Sequence, residues 1–204
     1  MLHESFHFLT QPLFNLYRAR SPNFSRLVES WNQTNWDYRF YNDKDVEDFL
    51  STHFPPEVTE AYEALLPGAF KADLFRYCVL FIHGGVYADV DVLLESKLDT
   101  AIDDDVGFMV PLDAVPGRQS GHQVCLWNGF MAAAPGHPFL AAVIEAVVNN
   151  VRNRFTSLDV MNSMCPVVDF FLSHRSDILF TSKFMSNRFT CVVVAFRCLF
   201  KLGF

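Results

Sequence analysis

The segment from Phe70 to Leu94 constrains the fold more than any other part of the chain. Phe70, Leu74, Phe75, Cys78, Phe81 and Ile82 recur at helical spacing and build a broad apolar face. Gly84-Gly85 stops that helix, because glycine accepts the left-handed geometry of a C-cap without a steric penalty. Val86 to Leu94 then reads as an apolar strand containing two aspartates, Asp89 and Asp91. A helix that must be buried, feeding directly into a strand that must also be buried, is a unit of an α/β domain.

The flanking sequence supplies the other layers. Ser21-Pro22 followed by Phe24, Leu27, Val28 and Trp31 reads as an amphipathic helix with Pro in its first turn. Trp36 to Tyr41 alternates aromatic residues and reads as a strand, and Asn42-Asp43 opens a helix through Phe49 and Leu50. Pro55-Pro56 breaks that pattern before a short helix over Glu57 to Leu66. Val106 to Val110 and Trp127 to Ala132 read as strands, and Pro138 begins a long helix carrying Phe139, Val143, Val147, Val151 and Phe155. The expected architecture is one α/β domain over 1–180, with a central, mostly parallel sheet flanked by helices. At 204 residues the chain is long enough to bury one sizeable core.

The end of the chain differs. Thr181 to Phe204 carries Lys183, Arg188, Arg197 and Lys201, no acidic residue, and an apolar run broken by Arg197. It reads as a separate basic and apolar tail that adds little to the fold, a membrane-surface segment being the alternative. Met1 to Gln11 has no basic start and no long apolar run, so no secretory signal is expected in it. The 5 cysteines show no metal-ligand spacing and read mostly as buried apolar fillers.

A net charge of −7 argues against general affinity for nucleic acid. It also means that an anionic ligand must be met by local positive charge, from a cation or from arginine. Two carboxylates at i and i+2 of an extended segment face the same side of the chain. Their hard oxygens suit a divalent cation that also takes phosphate oxygens from a ligand. Asp73 and Arg76 sit three apart on the preceding helix and so project from one side of it. They read either as an i,i+3 ion pair or as groups that hold a polar ligand beside the aspartates. A D-x-D after an apolar strand also occurs in haloacid-dehalogenase-like phosphatases, and Asp103-Asp104-Asp105 imitates their paired-acid element. The Gly-Gly-Val-Tyr entry and the Asp73/Arg76 helix have no place in that scheme.

Lys71-Ala72-Asp73-Leu74-Phe75-Arg76-Tyr77 with Gly84-Gly85-Val86-Tyr87-Ala88-Asp89-Val90-Asp91 closely resembles the D-x-D sugar-transfer unit of glycosyltransferase family 32. Asn128-Gly129-Phe130-Met131 and Pro135-Gly136-His137-Pro138-Phe139 resemble that family's downstream strand and helix start. The similarity runs from about Pro22 to Phe155, whereas Phe6 to Gln11 matches the family's opening strand poorly and nothing beyond Thr181 matches its late segment; these departures leave a non-catalytic or truncated sugar-nucleotide-binding homologue as the alternative reading. The resemblance implies a GT-A-like fold and retaining, metal-assisted transfer of a hexosyl unit, mannose first among the candidates. It implies Mn2+ or Mg2+ as cofactor, GDP-mannose or a UDP-hexose as donor, and a glycan or glycolipid hydroxyl as acceptor. Golgi or other secretory-pathway residence, with association to a membrane, goes with it. Carried over by residue, Asp89 meets the ribose and the metal, Asp91 binds the metal, and Asp73 and Arg76 hold the donor sugar. Asn128 borders the donor or acceptor site, Tyr87 packs, and His137 starts a helix.

Overall fold

Asn42 stands one residue before an acidic first turn, and its side chain closes a capping box. Its Oδ1 accepts from the Asp45 N–H at 3.1 Å, while Asp45 Oδ2 accepts from the Asn42 N–H at 2.9 Å. That cap starts a helix over Asp43–His53 in the computed structural model of the chain. The structure describes residues 7–9, 24–32, 36–66, 68–89, 92–95, 98, 102, 106–111, 127–153, 178–181 and 193–197.

In chain order the elements are β1 (His7–Leu9), α1 (Phe24–Asn32), β2 (Asp37–Tyr38), α2 (Asp43–His53), α3 (Pro56–Ala64) and α4 (Gly68–His83). They continue as β3 (Gly85–Ala88), β4 (Val106–Pro111), β5 (Phe130–Ala133), α5 (Pro138–Arg152), β6 (Ile178–Thr181) and β7 (Val193–Arg197). The strands form one sheet in the order β2-β1-β3-β5-β4-β7-β6. β5 and β7 run against the others, so parallel pairing is confined to β2-β1-β3 and the remaining pairs are antiparallel. The α/β class is as expected; the parallel character holds for one end of the sheet only.

Successive side chains alternate between the two faces of this sheet, as a pleated strand requires. Tyr87, Phe108, Val110, Met131 and Ala133 point into the larger core, with α2, α3, α4 and α5. Val86, Ala88, Met109, Phe130 and Ala132 point into the second core, with Trp31 of α1, Leu98 and Ile102. Burial on both faces explains why β3 and β5 are apolar without interruption. α4 is buried over a continuous run from Leu74 to Leu80, including Arg76, so it is a core helix rather than an amphipathic surface one.

Several segments differ from the expectation. β3 ends at Ala88, and the Val92 N–H returns to the Asp89 carbonyl at 3.0 Å, a spacing that closes a turn instead of extending a strand. The apolar residues after it are held from α1: Trp31 Nε1 donates to the Val92 carbonyl at 2.8 Å, and the Leu94 N–H donates to Ser30 Oγ at 3.2 Å. The residues from Thr181 onward were set apart by composition, yet Val193–Arg197 pairs with β4 from Val106 to Pro111. At the other end, His7–Leu9 forms β1 and lies between β2 and β3, even though its sequence matches the family pattern poorly.

The junction between α4 and β3 depends on Gly84. Its φ is +67°, and a Cβ there would lie 2.6 Å from Pro135 Cδ and 2.9 Å from the Ala133 carbonyl oxygen. Gly84→Ala therefore combines a left-handed backbone penalty with a clash against main chain that cannot move alone. We expect a loss of about 2–5 kcal/mol, from ~1–2 for the backbone and a further ~1–3 for overpacking. Urea unfolding should show a lower midpoint; an unchanged midpoint would contradict the packing described.

Candidate active site

The end of β3 is fixed by its neighbour. Ala88 pairs with Phe130, and the ladder gains one more step where the Asp89 N–H donates to the Gly129 carbonyl at 2.8 Å. Asp89 therefore stands at the last pinned position of the strand, with its side chain partly exposed. Val90 and Asp91 lie outside the described residues, as do Asp103-Asp104-Asp105.

Arg76 is the hub. Its guanidinium is 3% exposed and its Nη2 lies 3.1 Å from Asp73 Oδ1 and 3.2 Å from Asp89 Oδ1. Its Nε donates to the Ala72 carbonyl at 3.3 Å, and the guanidinium carbon stands 5.0 Å from the centre of the Tyr87 ring. The i,i+3 pairing with Asp73 is thus present, but it is half of a bridge that ties α4 to the end of β3. Asn128 joins the same cluster: its Nδ2 donates to Asp73 Oδ1 at 3.0 Å and to the Tyr77 hydroxyl at 2.9 Å. With both amide hydrogens committed, its Oδ1 is left as an acceptor at a half-buried position.

The electrostatics follow from burial. Desolvation opposes the charge on Arg76, but Tyr87, Asp89 and Asp73 outweigh it and hold its pKa above the ordinary value. Burial pushes the Asp73 carboxyl above the usual aspartate range, against the opposing pull of Arg76 and Asn128. Burial likewise raises Tyr77 and Tyr87, which stay neutral phenols. The Tyr87 hydroxyl is close enough to the Asp89 carboxylate for that charge to raise its pKa further. A fully buried ring sandwiched by Arg76 and core side chains matches the packing role expected for Tyr87.

The Asp73 shift sets a pH limit. A raised pKa means that protonation of Asp73 begins at a higher pH than for a free aspartate, so any ligand that needs its carboxylate is lost from that pH downward. Asn128→Ala removes a hydrogen bond that lowers the Asp73 pKa, and the acid limb of ligand binding should therefore move up in pH. Carboxyl 13C titration of Asp73 checks the direction; a limb that moves down would contradict it.

Of the residues singled out in the sequence, Asp73, Arg76, Asp89 and Asn128 come together in one cluster drawn from α4, the end of β3 and the turn before β5. Sequence reasoning missed Tyr77, Gly129 and the α1 pair Ser30 and Trp31. Gly129 is needed because a Cβ there would meet the Trp127 indole at 2.8 Å and Asp89 Oδ2 at 3.0 Å. His137 caps α5, its Nδ1 accepting from the Phe139 N–H at 3.3 Å, and takes no part in the cluster.

Residues 21–108 match the family model of a glycosyltransferase sugar-binding region containing a DXD motif. Those residues are where α4 and the end of β3 assemble the Asp73–Arg76–Asp89 bridge. This chain belongs to the DXD glycosyltransferase family. The DXD chain is 32% identical over 156 residues to HOC1 of Saccharomyces cerevisiae, itself named only as a glycosyltransferase, covering 71% of this chain and 36% of the yeast protein. It is 28% identical over 151 residues to the initiation-specific α-1,6-mannosyltransferase of Candida albicans, covering 64% of this chain and 39% of that one. It is 29% identical over 133 residues to inositol phosphoceramide mannosyltransferase 3 of Schizosaccharomyces pombe, covering 65% and 34%. The chain thus spans little more than a third of the length of these curated relatives. Among solved structures it resembles the PaToxG glycosyltransferase with a TM-score of 0.50 at 14% identity, over 82% of this chain and 57% of that one, a likeness of fold. No helix among the described residues is long and apolar enough to cross a membrane.

Proposed function

We infer that this chain is a retaining hexosyltransferase that moves mannose from a nucleotide-sugar donor to a glycan or glycolipid hydroxyl. The observation that carries the reading is the Asp73–Arg76–Asp89 bridge with Asn128, built at the end of a β-strand inside the DXD region. GDP-mannose is the first donor to consider and UDP-hexoses the next; mannose is favoured because the relatives from Candida albicans and Schizosaccharomyces pombe are mannosyltransferases. Golgi or other secretory-pathway residence and contact with a membrane surface accompany this reading.

In it, Asp73 and Asp89 accept hydrogen bonds from hydroxyls of the donor, Asp73 from the sugar and Asp89 from the ribose. Arg76 is too deeply buried to give more than part of one edge to a ligand, so its main work is to aim both carboxylates. The Oδ1 of Asn128 takes a donor or acceptor hydroxyl next to Asp73.

A divalent cation fits the residues present by the chemistry of its donors. Carboxylates are hard oxygen ligands, and the Asp89 carboxylate stands partly exposed at the strand end. No set of three His, Cys, Asp or Glu side chains among the described residues is placed to hold a metal without help. Asp89 and Asp91, the two carboxylates of the DXD motif, would hold Mn2+ or Mg2+. When bound, the cation supplies Lewis-acid stabilisation of the charge on the leaving nucleoside diphosphate. The chain's own residues do the rest: α4 fixes the depth of Asp73, the β3–β5 ladder fixes Asp89, and Trp31 and Ser30 fix the return of the chain at Val92 and Leu94.

Incubation with each nucleotide sugar, Mn2+ and a mannoside acceptor tests this reading. We expect metal-dependent release of nucleoside diphosphate and a first-formed product with the donor's anomeric configuration by NMR. An inverted product would overturn the retaining assignment. Phosphate release from a simple monoester would favour the phosphatase alternative.

A further inference from the structure

Trp127 stands out among the described residues as a large apolar side chain left in solvent beside the site. It is 40% exposed, whereas nearly every other large apolar residue near the cluster is buried. Its main chain is tied down, the Trp127 N–H donating to the Pro111 carbonyl at 2.8 Å, so the ring is presented from a fixed point. The indole folds over Gly129: Nε1 and Cε2 lie 2.8 and 2.9 Å from the place where a Cβ would sit, and Asp89 Oδ2 lies 3.0 Å from that same place. Gly129 thus leaves free the space that the indole and the Asp89 carboxylate both border.

The two oxygens of Asp89 face different neighbours. Oδ1 turns to Arg76, and through it to Asp73; Oδ2 turns to Gly129 and Trp127. The donor-holding groups and the exposed indole therefore stand against different oxygens of one carboxylate. An exposed aromatic face with a polar edge suits a pyranose ring, whose axial C–H bonds form an apolar patch and whose rim carries hydroxyls. Trp127 stands 40% exposed, whereas the strand that follows it, Phe130–Ala133, is buried throughout.

We propose that Trp127 is the platform on which the acceptor hexopyranose stacks, with its indole N–H bonded to a ring hydroxyl. The proposal rests on the transferase reading for the word acceptor; the stacking itself does not. It makes Trp127 a determinant of what the enzyme glycosylates, and not of which donor it uses.

The probe is methyl α-D-mannopyranoside, added to the full chain and to Trp127→Ala and Trp127→Phe. The expected result is saturation transfer to the sugar C–H protons and a shift of the Trp127 indole N–H resonance. Affinity should fall about tenfold or more in the Ala variant, the equivalent of ~1.4 kcal/mol, with most of it retained in Phe. Donor binding by calorimetry with Mn2+ should be kept in both variants. Mannoside binding that is equal in native and Ala chains, or that leaves the indole resonance unmoved, overturns the proposal. Loss of donor binding with mannoside binding kept overturns it too, by placing the ring on the donor side. A native chain that binds no donor but still shifts the Trp127 resonance with mannoside refutes the transferase reading and leaves the stacking platform standing.

Discussion

Arg76→Met is expected to destabilise the fold by about 3–5 kcal/mol at neutral pH and to abolish donor binding. The magnitude is that of breaking a buried ion pair from one side. Methionine fills much of the same space, so the loss is not mainly one of packing. It comes from two carboxylates, Asp73 and Asp89, that lose the charge lying 3.1 and 3.2 Å from them. Arg76→Lys should recover only part of this, because one ammonium cannot reproduce the planar fork that spans Asp73, Asp89 and the Ala72 carbonyl. The pH dependence has a defined sign. Burial already raises the Asp73 pKa and Arg76 opposes that rise, so the variant has an Asp73 raised further above its unfolded value. Such a group costs stability when ionised. The deficit relative to the native chain is therefore full at neutral pH and shrinks as pH falls through the raised pKa. Urea titrations at neutral pH and near pH 4.5 check this; a deficit that grows on acidification would contradict it.

Asp91→Ala is expected to remove metal-dependent turnover while leaving the fold intact. Metal-assisted charge stabilisation is worth several kcal/mol in a transition state, so the rate should drop by about a thousandfold or more. Asp91 is the second carboxylate of the DXD motif, and Asp89 already has one oxygen engaged by Arg76. Circular dichroism and the thermal midpoint should match the native chain. Turnover that persists in Asp91→Ala, with its metal dependence unchanged, would remove Asp91 from the site.

What could be read in the sequence was whatever rests on local backbone chemistry. The stop of α4 at Gly84 follows from the need for a positive φ, the start of α2 from the Asn42–Asp45 box, and the start of α5 from His137-Pro138. The cluster members Asp73 and Arg76 were legible because helical spacing puts them on one side. Asp89 was legible because an acid following a buried strand needs a reason to be there. What could not be read depends on tertiary partners. Val92 and Leu94 are apolar and extend the strand pattern, yet they turn away after Ala88 and are held by Trp31 and Ser30 from α1, about sixty positions upstream. Arg76 carries no sequence mark of its 3% exposure, so its second bridge, to Asp89, was invisible. Strand direction was equally hidden: apolar runs such as Phe130–Ala133 look the same whether they pair parallel or antiparallel. Trp127 read as the start of a strand, whereas the strand begins at Phe130 and leaves the indole at the site.

The most direct test of the central claim is calorimetric titration of this chain with GDP-mannose and with UDP-sugars, in Mn2+ and again in EDTA. The account predicts binding of one donor that disappears in EDTA and is lost in Arg76→Met. A folded chain that binds none of these donors, with or without the metal, would contradict it and leave the DXD cluster without the ligand assigned to it.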